Sequence, residues 1–200
     1  MVPSSSSVVC FYQGTQIALA SGSNISVEDL SIGDLVQTHK GPLPIKWVAK
    51  RTICRNFISQ DKYEDSLPVR IESGSLGNGI PRADLLVSGS HGIHVDGKIV
   101  NAACLVNGLN IYKEKLSLYP DTLKYFHLEF DDEVLVIANG VEACSYANED
   151  NRRSFDNYPE FISLYVNADL SVKSYISRSP RNQPSLQGHK SRVKRSWQAA

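Results

Sequence analysis

The chain has 200 residues, and its hydrophobic fraction of 42% is enough for one sizeable core. Lysine plus arginine and aspartate plus glutamate each number 21, so no overall field favours nucleic acid or an anionic membrane as a partner. No apolar run approaches the roughly 20 residues of a membrane span, and the N-terminus lacks the basic start and apolar stretch of a signal peptide.

Helical periodicity is nearly absent before residue 147, and short strands are predicted instead. Ten segments alternate in polarity or run apolar between turn signals, as half-buried and buried strands do. So many short strands predict a compact all-β domain. One segment, 26–30, predicts a single helical turn that Ser26 caps. The predicted strands cover residues 15–20, 34–39, 44–53, 67–73, 84–88, 91–95, 98–102, 123–130, 133–138 and 141–146.

Two dipeptides between predicted strands indicate tight hairpins. Asp96-Gly97 predicts a type I′ turn, because that turn needs a positive φ at both central residues and these residue types tolerate it. Asn139-Gly140 is the second strong hairpin signal. Each dipeptide therefore predicts an antiparallel pair of neighbouring strands.

The first hairpin carries two histidines, His91 and His94, three residues apart. Residues three apart on a strand point to opposite faces, which argues against a metal ion shared between them. Each histidine therefore needs its own explanation. We expect His94 at the surface or in the core, and we expect His39 and His189 to be exposed to solvent.

The four cysteines are far apart and form no C-x-x-C pair. This spacing argues against the usual zinc sites and against a dense disulfide framework, so we expect no metal and no cofactor. Isolated cysteines are usually buried small hydrophobes, which is the expectation for Cys54, Cys104 and Cys144. Cys10 follows a polar segment that cannot bury it, and it is the candidate nucleophile.

Composition divides the chain into four regions. The last region has seven basic and no acidic residues, which predicts a disordered tail able to contact an acidic surface. In the third region, 148–155 predicts a short helix and 162–166 a strand. The compartment is open between the cytoplasm and secretion as part of a longer protein. The regions are a flexible segment at 1–9, a β domain at 10–147, a peripheral extension at 148–170 and the basic tail at 171–200.

Beginning at Cys10, "CFYQGTQIALASGSNISVEDLSIGDLV" resembles the start of the Hint domain, the module shared by inteins and the autoprocessing part of Hedgehog proteins. The resemblance lies in the order of a cysteine, a G-T-x-I strand, a polar turn, "ISVEDL" and "IGDLV". The next two blocks resemble the bacterial branch of the family and the last resembles the closing hairpin of the domain, and together the matches span residues 10 to about 147. These later blocks are "GPLPIKWVAKRTI", "LPVRIESGSLGNGIPRADLLVSGSH" and "YFHLEFDDEVLVIANGVEACSY".

The resemblance implies a horseshoe of short β-strands built from two similar halves, with Cys10 in the central cleft facing a histidine. It also implies an N-to-S acyl shift, in which the thiol attacks the carbonyl of Val9 and converts the Val9–Cys10 amide into a thioester. Ser88 and His91 occupy the family pattern of Ser or Thr three positions before a histidine. A histidine can protonate or polarise a poor leaving nitrogen near neutral pH.

The implied roles follow that chemistry. His91 is the expected partner of Cys10, and the Ser88 hydroxyl would donate to the oxyanion or orient His91. His127 stands where the family often has a catalytic aspartate, and could take over its work with a different proton balance. The domain's own upstream peptide is the expected substrate. Water, a thiol or an amine is the expected acceptor.

The chain departs from the family in two places. "ANGVEACSYANED" lacks the His-Asn pair of inteins, so we expect neither splicing nor C-terminal cleavage. Hedgehog-type modules add a sterol-recognition segment after the Hint core. The polar, basic residues after 170 offer no apolar surface for a sterol, so we do not expect that segment here. Nine residues before Cys10 are a short cargo, so either Met1 is not the natural start or the module is a remnant. The alternatives to autoprocessing are a non-catalytic Hint-like attachment or interaction module and a cysteine hydrolase acting in trans.

Overall fold

The computed structural model describes residues 9–145 and 149–166. In this part of the chain, short antiparallel strands dominate and helices are few. The strands are β1 Phe11–Tyr12, β2 Gln16–Ala18, β3 Asn24–Ser26, β4 Leu35–Thr38, β5 Gly41–Pro44, β6 Trp47–Cys54, β7 Val69–Ile71, β8 Leu85–Val87, β9 Gly92–Val95, β10 Lys98–Asn101, β11 Ile111–Lys113, β12 Thr122–Glu129, β13 Leu135–Ala138 and β14 Val141–Cys144. All pairings are antiparallel, which confirms the predicted all-β class.

The helical elements are short. Three are α-helical, one is a π-helix that continues α3, and the others are 3₁₀ turns. None of the helices in the described residues has the length and apolar character needed to cross a membrane. The elements are α1 Gln60–Asp65, α2 Ala102–Leu105, α3 Tyr158–Phe161, the π-helix Ile162–Val166, and the 3₁₀ turns Val27–Asp29, Arg55–Phe57, Leu116–Leu118 and Glu149–Ser154.

Two sheets organise the strands. The first has six strands in the order β11-β7-β8-β1-β12-β6. The second has eight, with the path β10-β9-β14-β13-β2-β3 and the pair β4-β5 attached through β13. The short strand β1 lies between β8 and β12, which brings the start of the domain into the middle of the first sheet.

Apolar side chains form two clusters of buried residues, and β1 connects them. Phe11 belongs to the larger cluster, which contains most of the aliphatic core. The residue before it, Cys10, belongs to a smaller cluster with Trp47, Tyr63 and Tyr125. Successive side chains in extended backbone point to opposite sides, so Cys10 and Phe11 bury on different faces.

The segment after β14 covers the free edge of β6. Asp156 accepts a hydrogen bond from the Thr52 N–H (2.7 Å) and donates its own N–H to the carbonyl of Lys50 (2.8 Å). Phe155 and Phe161 from this segment are buried in the same cluster as Cys10. Unpaired strand edges can associate with other chains. The hydrogen bonds from Asp156 satisfy part of the edge of β6.

A strand overlaps each of the ten predicted segments. The hairpin turns are also confirmed, since Asp96 (φ 49°) and Gly97 (φ 74°) both have positive φ, as do Asn139 (φ 48°) and Gly140 (φ 85°). The turn at 26–30 forms as a 3₁₀ turn, although the Ser26 side chain makes no capping hydrogen bond. A 3₁₀ helix at Glu149–Ser154 confirms the short helix predicted nearby.

Two predictions were wrong. The stretch 162–166 is not a strand but a π-helix, because helical spacing brings Tyr165 against the buried Phe161 at 5.0 Å between ring centroids. The region before 147 also contains α1 and α2, whereas only strands and one turn were expected. Each of these helices buries a single side chain, Tyr63 and Ala102 respectively, so neither leaves an amphipathic pattern in the sequence. The predicted basic tail and His189 lie outside the described residues.

Candidate active site

Cys10 is held at both of its backbone polar groups by Ser88. The Cys10 N–H donates to Ser88 Oγ at 2.9 Å, and the Ser88 N–H donates to the Cys10 carbonyl at 2.9 Å. Ser88 directly follows β8, and Cys10 directly precedes β1, so the pairing of these two strands sets both contacts. The hydroxyl therefore contacts the nitrogen of the Val9–Cys10 peptide bond.

His91 reaches the same place through a turn. Its N–H donates to the Ser88 carbonyl at 2.9 Å, and its carbonyl accepts the Ala102 N–H at 2.9 Å. The three-residue spacing from Ser88 to His91 is that of a β-turn, which explains how both side chains approach Cys10. The His91 side chain is fully buried, with its ring centroid 4.3 Å from that of Phe11.

The His91 imidazole borders two stretches of backbone, at Cys10 and Cys144. Neither ring nitrogen forms a hydrogen bond with a described residue. The contacts with the two stretches of backbone nevertheless favour the protonated ring, which raises the pKa. Burial acts in the opposite direction and outweighs them, lowering the pKa of His91 to about 4. The ring is therefore neutral at pH 7 and can accept a proton.

His127 on β12 also lies near the Val9–Cys10 peptide bond. The register pairs Phe11 with Phe126, which places His127 beside the start of β1. Its side chain is fully buried and contacts the backbone of Val9 and Ser145. Burial, helped by the nearby His91, holds the pKa of His127 well below its usual value. The two imidazole centroids are 5.8 Å apart.

The Cys10 side chain is buried, but its thiol borders a cavity and is not packed on all sides. Burial raises the pKa of the thiol, and the positive charge of Arg51 partly opposes that shift. The resting group is thus a neutral thiol. It lines a cavity of about 340 Å³, which Ser88, Arg51 and Tyr125 also line.

The structure thus brings together Cys10, Ser88, His91 and His127, the four site residues predicted from the sequence. Sequence reasoning missed Arg51 and Tyr125, because each occupies a strand position where its residue type is unremarkable. Only the pairing of β6 with β12 and of β12 with β1 places them beside the thiol. No pattern in the sequence signals the cavity.

The other candidates lie elsewhere. His94 is on β9 with its side chain one-third exposed, and its Nδ1 lies 2.5 Å from Glu142 Oε2. His39 is exposed as predicted, and its Nδ1 accepts the Leu135 N–H at 2.9 Å. Cys54 is half-buried and Cys104 is exposed, so the expectation of burial holds only for Cys144. Within residues 9–145 and 149–166, no group of acidic, His or Cys side chains could hold a metal ion.

The structure is thus an all-β domain in which a cysteine and two histidines are buried around one peptide bond. A family model described as Hint domain matches residues 9–150, and the chain belongs to this family. Its predicted resemblance to Hint domains is thereby confirmed. No match to a curated protein was found.

Solved structures of inteins are similar to this chain. The gp41-1 intein is 14% identical, with 70% of this chain and 100% of that chain covered and a TM-score of 0.44. A DnaB intein from Synechocystis sp. PCC 6803 is 12% identical, with the same coverage and a TM-score of 0.47. A bacterial intein-like domain from Clostridium thermocellum is 16% identical, again with 70% and 100% covered and a TM-score of 0.45.

Proposed function

We propose that this domain processes itself at the Val9–Cys10 bond through an N-to-S acyl shift, followed by N-terminal cleavage or transfer and without intein-type splicing. One observation carries the proposal. The nitrogen of this peptide bond is bound to Ser88, while buried imidazoles contact the backbone on its two sides, His127 at Val9 and His91 at Cys10. A structural cysteine would not need such an arrangement around its own amide.

The first step is attack by sulfur on the Val9 carbonyl carbon. The neutral thiol can lose its proton to water in the cavity that it lines as the S–C bond forms, and the neutral His91 ring can take up a proton in turn, so no preformed thiolate is needed. We assign to His127 the donation of a ring N–H to the Val9 carbonyl oxygen, where negative charge develops. The product of this step is a tetrahedral intermediate that still holds both sulfur and nitrogen.

The second step breaks the C–N bond. Amide nitrogen leaves only when protonated, and His91 is the group that borders the Cys10 backbone. We assign to His91 the return of a proton to this nitrogen. Ser88 positions the nitrogen by accepting its N–H, a role different from the oxyanion donor expected from the sequence. The acyl group then rests on Cys10 as a thioester, and Cys10 keeps a free amine.

The thioester is resolved from outside the domain. The strand β14 ends in "EAC", and "EACSY" contains no His-Asn pair that could release a downstream segment. Water, a thiol or an amine would therefore release the upstream peptide. The protein would act on its own chain once.

Intact-mass measurement on a fusion with a reporter protein before Met1 tests the proposal. The segment through Val9 should be lost slowly, and faster with dithiothreitol or hydroxylamine, because both intercept a thioester but not an amide. Cys10→Ala should abolish the loss, whereas Cys104→Ala, which removes an exposed cysteine elsewhere, should not. A folded fusion that stays intact for days under strong thiol would favour the non-catalytic interaction module instead.

A further inference from the structure

A positively charged side chain, Arg51, lines the cavity beside Cys10 and forms no ion pair among the described residues. Arg51, on β6, lines the cavity and is half-buried. None of the ion pairs among residues 9–145 and 149–166 involves it. The acidic residue that lines the same cavity, Asp65, lies 3.5 Å from Lys113 and is thus compensated from outside. Arg51 therefore leaves the cavity with uncompensated positive charge.

The rest of the lining points to a small molecule. The walls include the apolar side chains of Ile53 and Ile58, and the space of about 340 Å³ is large enough for a few heavy atoms together with water. Lys62, an exposed residue of α1, also lines the cavity and adds a second positive charge. Phe57, of which 86% is exposed, marks the side on which the cavity opens to the surface.

We propose that this cavity receives the acyl acceptor, and that the acceptor it selects is a small thiol carrying an anionic group, with Arg51 as the residue that recognises the anion. This inference rests on the proposed function. Its geometric basis is that Cys10 and Arg51 line one space. Once the acyl group has moved to Sγ, the thioester stands at the inner end of that space, within the same walls as the guanidinium.

The transfer step is a thiol–thioester exchange. The acceptor sulfur, after losing its proton, forms a bond to the Val9 carbonyl carbon, and the bond from that carbon to Cys10 Sγ breaks. The electron pair of the broken bond stays on Cys10, which takes up the proton that the acceptor released. The upstream peptide leaves as a thioester of the acceptor. No oxidant or further reactant is required.

Three thiols of similar size but different charge test the preference: 2-mercaptoethanesulfonate, 2-mercaptoethanol and cysteamine. Release of the upstream reporter is followed against the concentration of each thiol in the full-length fusion. The KM for the anionic thiol should be roughly 3- to 10-fold lower than for the neutral one, and that for the cationic thiol higher still. Raising the salt concentration should shrink the difference, because the cavity is open to solvent.

Variants assign the preference to Arg51. Arg51→Gln should bring the three KM values together, whereas Arg51→Lys should keep most of the difference. Arg55→Gln is the matched control, because it removes the same charge from an exposed position outside the cavity lining, next to Asp121. The comparison of KM values across thiols separates recognition from any uniform effect of Arg51 on the Cys10 thiolate, which would change kcat for all three alike.

The outcomes separate this inference from the proposed function. Release that shows the same concentration dependence for all three thiols overturns the anionic preference while leaving the acyl shift in place. A preference that survives in a folded Arg51→Gln variant overturns the role of Arg51. Absence of release with every thiol, in a folded fusion, rejects the proposed function and this inference with it.

Discussion

His91 and His94 are three residues apart in the sequence but lie in very different surroundings. The first is fully buried against Phe11 and the backbone of Cys10, whereas the second is one-third exposed and pairs with Glu142. Burial keeps the first ring neutral at pH 7. The comparison shows that burial and the groups each ring contacts set the chemistry of these two histidines, which are close in sequence.

The sharpest test of this difference is His91→Ala. If His91 protonates the leaving nitrogen, thioester formation per folded molecule should slow by roughly the 10²- to 10⁴-fold typical of a lost general acid–base. Because the side chain is fully buried, the variant should also lose about 1–3 kcal/mol of unfolding free energy. Processing rates corrected for the folded fraction, from circular dichroism and intact mass, check both numbers. A normal corrected rate would make His91 a core residue only.

Stability as a function of pH should distinguish the buried histidine from the exposed one. The pKa of His91 is lowered by burial to about 4, so the unfolded chain takes up its proton first as the pH falls. The stabilisation should be fully present above about pH 6.5 and lost progressively toward pH 4, by on the order of 3 kcal/mol, with His127 acting in the same direction. Urea unfolding at pH 7.5, 6 and 5 measures this.

The control for the pH experiment uses the two histidines separately. His91→Gln should reduce the pH dependence, because glutamine does not titrate, and His127 should account for part of what remains. His94→Gln should leave most of it in place. The same slope in both variants and in the unaltered chain would mean that His127 or carboxylates, and not His91, dominate the acid loss of stability.

Ser88→Ala tests the hydrogen bond from the Cys10 N–H to Ser88 Oγ. It removes the acceptor of the Cys10 N–H, which should cost about 1 kcal/mol of stability and slow the acyl shift by about 10-fold through loss of positioning. Ser88→Thr retains the hydroxyl and should recover most of the rate. The ratio of rates for the two variants, measured with the fusion, checks the role of the oxygen. Equal rates would contradict it.

The smallest effect is expected for His94→Ala. The side chain is partly exposed and its pair with Glu142 is of the surface kind, so unfolding free energy should change by less than about 1 kcal/mol. Processing should stay within about 2-fold of the unaltered rate, since a surface substitution away from the site changes little. If His94→Ala slowed processing as much as His91→Ala, the contrast between the two histidines would have no functional meaning.

The hairpins could be predicted from the sequence because their causes are local. Positive φ at Asp96 and Asn139 is tolerated by few residue types, and a glycine follows each of them. The very short strands β1, β3 and β11 leave no comparable signal, because two or three residues cannot establish a period. The incorrect strand at 162–166 also arose from a short window of sequence. Its alternation of polar and apolar residues is real, but Phe161 outside that window decides the helical packing.

The sequence by itself determined the class of fold, through turn residues and alternating strands, and it singled out Cys10, Ser88, His91 and His127 through their resemblance to one family. The burial of both imidazoles, their neutral state and the contact of Ser88 with the Cys10 nitrogen depend on tertiary structure. The cavity that Arg51 and the Cys10 thiol both line also depends on tertiary structure. The physical reason is that turn conformation and strand period arise between near neighbours, whereas burial, field and distance arise between segments that only the sheet brings together.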